Sequence, residues 1–237
     1  MSDIGSTRSE NQDKVYTHFF DDDSAFVIVC DGMGGENAGS LASDTAIDVI
    51  SERVERCYRE NSDGNSVRRL LVNSVRTANE VVFEVGGMKE DTWGMGTTCV
   101  AALRRGNRIF CVNAGDSRAY AVEGDKITQI TRDHNVVTDL YERGEITKEE
   151  MKTHPQRNLI TRALGVTENL FPDYFELDVS DNTIILLCSD GLYGCCEDED
   201  IAYCMADVDP EDIPAVLVEF AIECGSKDNV TAAIILP

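Results

Sequence analysis

Three aspartates stand where apolar runs begin or end. Ala25-Phe26-Val27-Ile28-Val29-Cys30 leads into Asp31-Gly32-Met33-Gly34-Gly35, and Thr183-Ile184-Ile185-Leu186-Leu187-Cys188-Ser189 leads into Asp190-Gly191. Asp228, in Ser226-Lys227-Asp228-Asn229, precedes a last apolar run from Val230 to Leu236. Such runs, rich in β-branched residues, read as buried strands. The glycine after each of the first two acids lets the backbone turn sharply and approach a ligand closely. A single Asp-Gly is most often only a turn. Two that end long strands, joined by a third acid, read as a set. Carboxylates at short range raise one another's pKa unless a cation neutralises them. Oxygen ligands carried on rigid strands suit hard divalent ions such as magnesium or manganese. Two such ions about 3.5–4 Å apart can activate one bridging water and hold a phosphoryl oxygen for in-line attack.

Two further stretches could serve that chemistry. In Gly5-Ser6-Thr7-Arg8-Ser9-Glu10-Asn11-Gln12-Asp13, the Arg8 fork suits a phosphate dianion, and Asp13 could bind metal-bound waters. Asn113-Ala114-Gly115-Asp116-Ser117-Arg118 reads as a hairpin connection whose acid, Asp116, is a candidate for a further, weaker metal. Cys99 and Arg105 satisfy the C-x5-R spacing of cysteine phosphatases. That chemistry needs a glycine-permissive loop whose amides cradle phosphate before a helix. Val100-Ala101-Ala102-Leu103 reads instead as strand, so the spacing is a coincidence.

The elements that must position these residues follow from periodicity. Residues 14–30 predict two strands, with Asp21-Asp22-Asp23-Ser24 as the turn between them. Apolar residues from Ala38 to Ile50, and again from Val67 to Val85, recur at helical spacing, and Gly86-Gly87 ends the second helix. Short strands are expected over Thr97 to Leu103, Arg108 to Asn113, Arg118 to Val122 and Lys126 to Ile130. Arg105-Gly106-Asn107 and Glu123-Gly124-Asp125 read as hairpin turns among them. Residues 135–158 are polar and mixed, with a helix start at Thr147, and read as a flap inserted into the sheet. Strands near 174–178 and 183–189, helices near 198–206 and 211–224 and the final strand complete the chain. Strands and helices cluster instead of alternating, which predicts an α+β fold with antiparallel sheets in a single domain over 1–237.

Composition narrows the function. The chain carries 44 acids against 21 bases, a formal charge of −23, which repels nucleic acid and anionic membrane. No apolar run is long enough to span a bilayer, and the polar segment from Met1 to Asp13 is not a secretory leader. The nine cysteines are odd in number and lie mostly in apolar strands, so free thiols and a cytoplasmic location are expected.

Taken in order, these stretches resemble the motifs of the PPM (type 2C) family of metal-dependent serine/threonine protein phosphatases. The matching residues are Gly5, Arg8 and Asn11-Gln12-Asp13; Val29-Cys30-Asp31-Gly32-Met33-Gly34-Gly35; Gly96-Thr97-Thr98; and Asn113 to Arg118. Thr131-Arg132-Asp133-His134, Leu159 to Gly165, Ser189-Asp190-Gly191 and Asp228-Asn229-Val230-Thr231 continue the series across essentially the whole chain. The resemblance implies two packed antiparallel β-sheets flanked by helix pairs, with two or three Mn2+ or Mg2+ ions at one end. Asp31 would bridge two metals, the Gly32 carbonyl would contact one, and Asp190 and Asp228 would complete the other. Asp13 would act through water, Arg8 would hold the substrate phosphate, and Asp116, with Asp190, would hold a third metal.

The implied reaction is hydrolysis of phosphoserine and phosphothreonine in proteins by direct attack of a metal-bridging water. The implied partners are a cognate serine/threonine kinase and its targets, and the protein is expected to be monomeric. Met33 stands where animal members carry a histidine, which matches the bacterial branch and removes their proposed general acid. A metal-bound water is then the first candidate for that role, and His134 reads as a structural turn residue. Gly194 stands where animal members have an acid. Because Met1 lies almost on the first motif, the edge strand that relatives carry there is expected to be missing or replaced. A binding module on the same fold would be expected to lose metal ligands, and here every core acid is present.

Overall fold

The computed structural model describes residues 1–20, 24–35 and 38–237. Its strands in chain order are β1 (Ser2–Asp3), β2 (Asp13–Phe20), β3 (Ser24–Met33), β4 (Gly96–Thr97), β5 (Cys99–Arg105) and β6 (Arg108–Ala114). They continue with β7 (Arg118–Glu123), β8 (Lys126–Gln129), β9 (Asp173–Asp178), β10 (Ile184–Cys188) and β11 (Val230–Ile235). One sheet has the order β2-β3-β5-β6-β9, with β4 on the end of β3; the other has the order β1-β11-β10-β7-β8. All the pairings are antiparallel. The expected Asp21-Asp22-Asp23 turn lies outside the described residues.

The two sheets pack face to face, and this explains why β3 and β10 read as unbroken apolar runs. In β3, Phe26, Ile28 and Cys30 face a core shared with Ala42, Ile50, Leu71 and Val75 of α1 (Ala38–Cys57) and α2 (Gly64–Gly86). The alternate residues Val27 and Val29 meet Ile185 and Leu187 between the sheets. In β10, Leu186 and Cys188 face Leu217, Val218 and Ala221. Strand alternation is hidden because both faces are buried. Between β8 and β9, α3 (Val136–Glu142) and α4 (Lys148–Thr153) occupy the segment read as a flap. The second outer layer is formed by α5 (Asp190–Tyr193), α6 (Asp198–Met205) and α7 (Ile213–Glu223).

Local signals set several boundaries. The Asp63 side chain accepts the Ser66 amide at 2.8 Å and starts α2, and Gly87 ends it by donating to Phe83 and Glu84 carbonyls. Thr147 and Glu150 form a reciprocal capping box at the start of α4. Gly106 and Gly124 take positive φ in the β5–β6 and β7–β8 hairpins, as their turns require.

Two expectations are corrected. The edge strand is present: β1 pairs with β11 in the register Ser2↔Thr231, and the amino terminus of Met1 donates to the Ala232 carbonyl at 3.0 Å. The Ala232 amide donates in return to the Met1 carbonyl at 3.1 Å. The Asn113 to Arg118 connection is not a hairpin, because β6 and β7 belong to different sheets. It is the step by which the chain leaves one sheet for the other, with Gly115 at φ +122° packed on Thr98.

Candidate active site

The strand ends meet at one edge of the sandwich. Asp13 opens β2 and sits directly across from Asp31 on β3. Asp190 begins α5 just past β10, Asp228 lies before β11, and Asp116 lies in the crossover between β6 and β7. Asp31 feels the charges of Asp13, Asp190, Asp116 and Asp228, so the structure brings together all five predicted acids. Burial, followed by those four neighbours, pushes the Asp31 carboxyl well above its ordinary range. Burial and then Asp116, Asp228 and Asp13 push Asp190 up to about 8. Asp116 rises to about 7 through burial and Asp133, and Asp13 to about 6 chiefly through burial. Arg8 reaches the cluster from the N-terminal loop, with its Nη2 2.7 Å from Asp228 Oδ2. Among the described residues this is the one ion pair within 4 Å that any of the five acids makes.

Neighbouring polar groups hold these side chains in place. Ser189 Oγ donates to Asp13 Oδ2 at 2.6 Å and accepts the Thr231 amide at 3.1 Å, so an acid of one sheet is anchored on the other. The Asp31 amide donates to Thr98 Oγ1 at 2.9 Å, and Thr97 Oγ1 donates to the Asp31 carbonyl at 2.9 Å. Gly32 is required sterically, since a Cβ there would lie 2.2 Å from the Gly39 carbonyl oxygen. Asn229 fastens the N-terminal loop: its Oδ1 accepts the Gln12 amide, and its Nδ2 donates to the carbonyls of Ile4 and Glu10, each at 2.9 Å. Tyr193 supports Asp116 by donating to its carbonyl at 2.8 Å. Sequence reasoning quoted Ser189, Thr97, Thr98 and Asn229 inside motifs but gave them no task. Ser189 and Asn229 at least adjoin an acid in sequence, whereas Thr97 and Thr98 reach Asp31 only through the fold.

His134 is a structural residue. Its Nδ1 accepts the Gly115 amide at 3.1 Å, which leaves Nε2 to donate to Asp173 Oδ2 at 3.1 Å, and the residue is fully buried. Burial lowers its pKa, which favours the neutral ring. Cys99 is buried in β5, while Arg105 donates to the carbonyls of Glu60 and Ser62, so the C-x5-R spacing builds no phosphate loop. His18, five residues past Asp13 on β2, contacts Tyr16 and Phe20, and His154 follows α4; both are half-buried.

The donor set suits a hard divalent cation, being all oxygen and short of compensating positive charge. As placed, no three His, Cys, Asp or Glu side chains among the described residues converge on one point as a finished ligand set. The carboxylates are neighbours, and Arg8 occupies one of them.

Comparison with known proteins agrees with this architecture. The family model for protein phosphatase 2C matches residues 8–230. A serine/threonine phosphatase stp of Listeria innocua is 31% identical over 99% of this chain and 93% of its own length. The crystal structure of serine/threonine phosphatase Stp1 from Staphylococcus aureus superposes with a TM-score of 0.93 at 34% identity, covering 100% of this chain and 93% of that one. The catalytic domain of serine threonine protein phosphatase PstP, solved in complex with two manganese ions, gives a TM-score of 0.85 at 33% identity over 99% of this chain and 94% of that one. The chain therefore belongs to the protein phosphatase 2C family.

Proposed function

We propose that this protein is a metal-dependent phosphatase of phosphoserine and phosphothreonine in proteins, opposing a serine/threonine kinase in the bacterial cytoplasm. The observation that carries this reading is the group of five buried or partly buried carboxylates at one edge of the sandwich, with Arg8 paired to one of them. Family membership and the names of the relatives support the reaction class. The whole of 1–237 would act as one catalytic domain, monomeric, with 135–158 as a flap. No helix among the described residues is long and apolar enough to cross a membrane.

Asp31, the Gly32 carbonyl, Asp190 and Asp228 would hold two Mn2+ or Mg2+ ions, with Asp31 shared between them. Asp13 would hold water beside them, and Asp116 with Asp190 would take a third ion. Bound ions supply Lewis acidity and lower the pKa of water to the neutral range. Arg8, paired here with Asp228, carries a guanidinium fork that would hold two oxygens of the substrate phosphate. Ser189 keeps the Asp13 carboxylate aimed by donating to one oxygen. Cys30, next to Asp31 in β3, is buried, and burial pushes its thiol well up, so it is no nucleophile. Water is the attacking group, and no covalent phosphoenzyme forms.

The test is hydrolysis of a phosphothreonine peptide during a manganese titration, with a chelator control and Asp190→Asn in parallel. Metal-dependent turnover that the substitution abolishes is expected. Folded protein with no turnover at any metal concentration would favour a binding module instead.

A further inference from the structure

On α2, Arg68, Arg69 and Arg76 stand on one helical face, with Val72 and Asn73 between them. With Asp173 and Tyr174 at the start of β9 they line a cleft of about 550 Å³. Among the described residues none of the three makes an ion pair within 4 Å. Arg69 donates to Ser66 Oγ at 3.1 Å, and three nearby carboxylates have partners of their own. Asp173 takes Arg162 at 2.8 Å and His134 at 3.1 Å, Glu176 takes Arg108, and Asp63 caps its own helix. Arg68 lies 5.1 Å over the Tyr174 ring, and Arg76 lies 5.4 Å over Phe171. Stacking restrains each guanidinium by its face and leaves its N–H edge free for an anion. In a chain of net charge −23, three arginines on one wall, two of them stacked in this way, are a local exception.

A second groove, of about 590 Å³, leads from this cleft toward the acids. Met33, Ile160, Val166, Leu170 and Phe171 line it, and it shares Asp173 with the arginine cleft. Met33 lies two residues past Asp31 in the same strand. The groove wall is pinned to the acidic centre through Thr97, which exchanges backbone hydrogen bonds with Leu164 and donates its hydroxyl to the Asp31 carbonyl. Val166 and Phe171 are left 53% and 67% exposed there. Acidic centre, apolar groove and cationic cleft therefore follow one another along one surface.

We propose that the arginine cleft is a docking subsite for a second anionic group on the phosphoprotein substrate, either phosphoryl or carboxylate. The substrate residues between that group and the scissile phosphate would lie in the apolar groove from Met33 to Phe171. This inference rests on the phosphatase reading above and specifies the substrates it prefers. The overall charge repels acidic proteins at long range, so a substrate that presents its negative charge to Arg68, Arg69 and Arg76 is selected over one that presents it elsewhere.

The test uses the manganese-loaded protein and phosphothreonine peptides of equal length. At positions scanned outward from the phosphothreonine, the peptides carry a pair of glutamines, a pair of glutamates, or a non-hydrolysable phosphonate analogue of phosphothreonine. At low salt the wild type should prefer the anionic peptides at some spacing by roughly five- to tenfold in kcat/KM, through KM. A phosphonate preferred over glutamates identifies a phosphoryl site, and equal preference identifies a general anion site. The double variant Arg68→Gln/Arg76→Gln, altered at exposed positions, should lose the preference. Its hydrolysis of the glutamine peptide and of para-nitrophenyl phosphate should stay at wild-type rates. Hydrolysis without preference, or preference retained in the variant, would overturn the docking subsite alone. If the wild type cleaves no peptide, the phosphatase reading fails and the subsite with it.

Discussion

Replacing Asp190 by Asn should stabilise the metal-free protein while removing its response to metal. The Asp190 carboxyl is raised from 3.8 to about 8, by burial first and then by Asp116, Asp228 and Asp13. Between those values the folded state holds a proton that the unfolded chain has released. A group with its folded pKa raised contributes most below its unfolded value, and that contribution is lost as pH rises through its folded value. At about 1.4 kcal/mol per unit, keeping this group protonated at pH 7 costs on the order of 4 kcal/mol. Asp190 keeps partial solvent contact and titrates together with its neighbours, so neutralising it alone recovers about 2–3 kcal/mol. The opposing effect is small: an acid in the first turn of a helix is worth about 0.3–1 kcal/mol when charged, and this one is largely protonated. For a chain of this size the gain corresponds to a rise in Tm of about 5–10 °C at pH 7 in chelator. Thermal unfolding of wild type and variant between pH 5 and 8 measures it. The wild-type Tm should fall across that window, and the advantage of the variant should shrink toward pH 5. Manganese should raise the Tm of the wild type and leave that of the variant unchanged. A variant no more stable than wild type in chelator at pH 7 would refute the account of repelling carboxylates.

Two other positions separate binding from architecture. Arg8→Ala should raise KM for phosphate monoesters by roughly tenfold. Its exposed pair with Asp228 contributes about 0–1 kcal/mol, so Tm should hardly move, and an unchanged KM would count against the phosphate role. Asn229→Ala removes the acceptor of the Gln12 amide and the donor to the Ile4 and Glu10 carbonyls, at a cost of about 2–4 kcal/mol. It should lower Tm and also raise KM, because the loop it releases carries both Arg8 and Asp13. A stable variant with wild-type KM would show that the loop is held by other contacts.

Much of the α+β sandwich was legible because its strands and helices carry local signals. The runs ending at Asp31 and Asp190, the caps at Asp63 and Thr147 and the glycines at 106 and 124 all act within a few residues of themselves. Asp31, Asp190 and Asp228 stood out for the same reason, at the edges of apolar runs, whereas Asp13 and Asp116 drew notice only beside them. What failed was choice of partner. Nothing between Asn113 and Arg118 announces that β6 and β7 join different sheets, since that depends on β9 and β10 sixty residues later. The two residues of β1 have no strand signal of their own, and β11 supplies their ladder. Nothing in the sequence of α2 places β9 opposite its arginines, so the cleft between them exists only in the fold.

The site's position explains why its stability and its chemistry are linked. Asp13 and Asp31 are cross-strand neighbours in one sheet, and Asp190 and Asp228 flank adjacent strands of the other. Ser189 joins the two sets through Asp13 and Thr231. The acids therefore face one another across the seam between the sheets, where repulsion acts against the packing of Val27 and Val29 on Ile185 and Leu187. A cation there relieves repulsion across the seam and gains coordination at once, so its binding free energy adds to folding. Asp190→Asn obtains the first effect without the second. If the seam is where the charge is costly, the substitution gains stability in chelator and loses turnover. If the acids only decorated loops, it would change turnover alone.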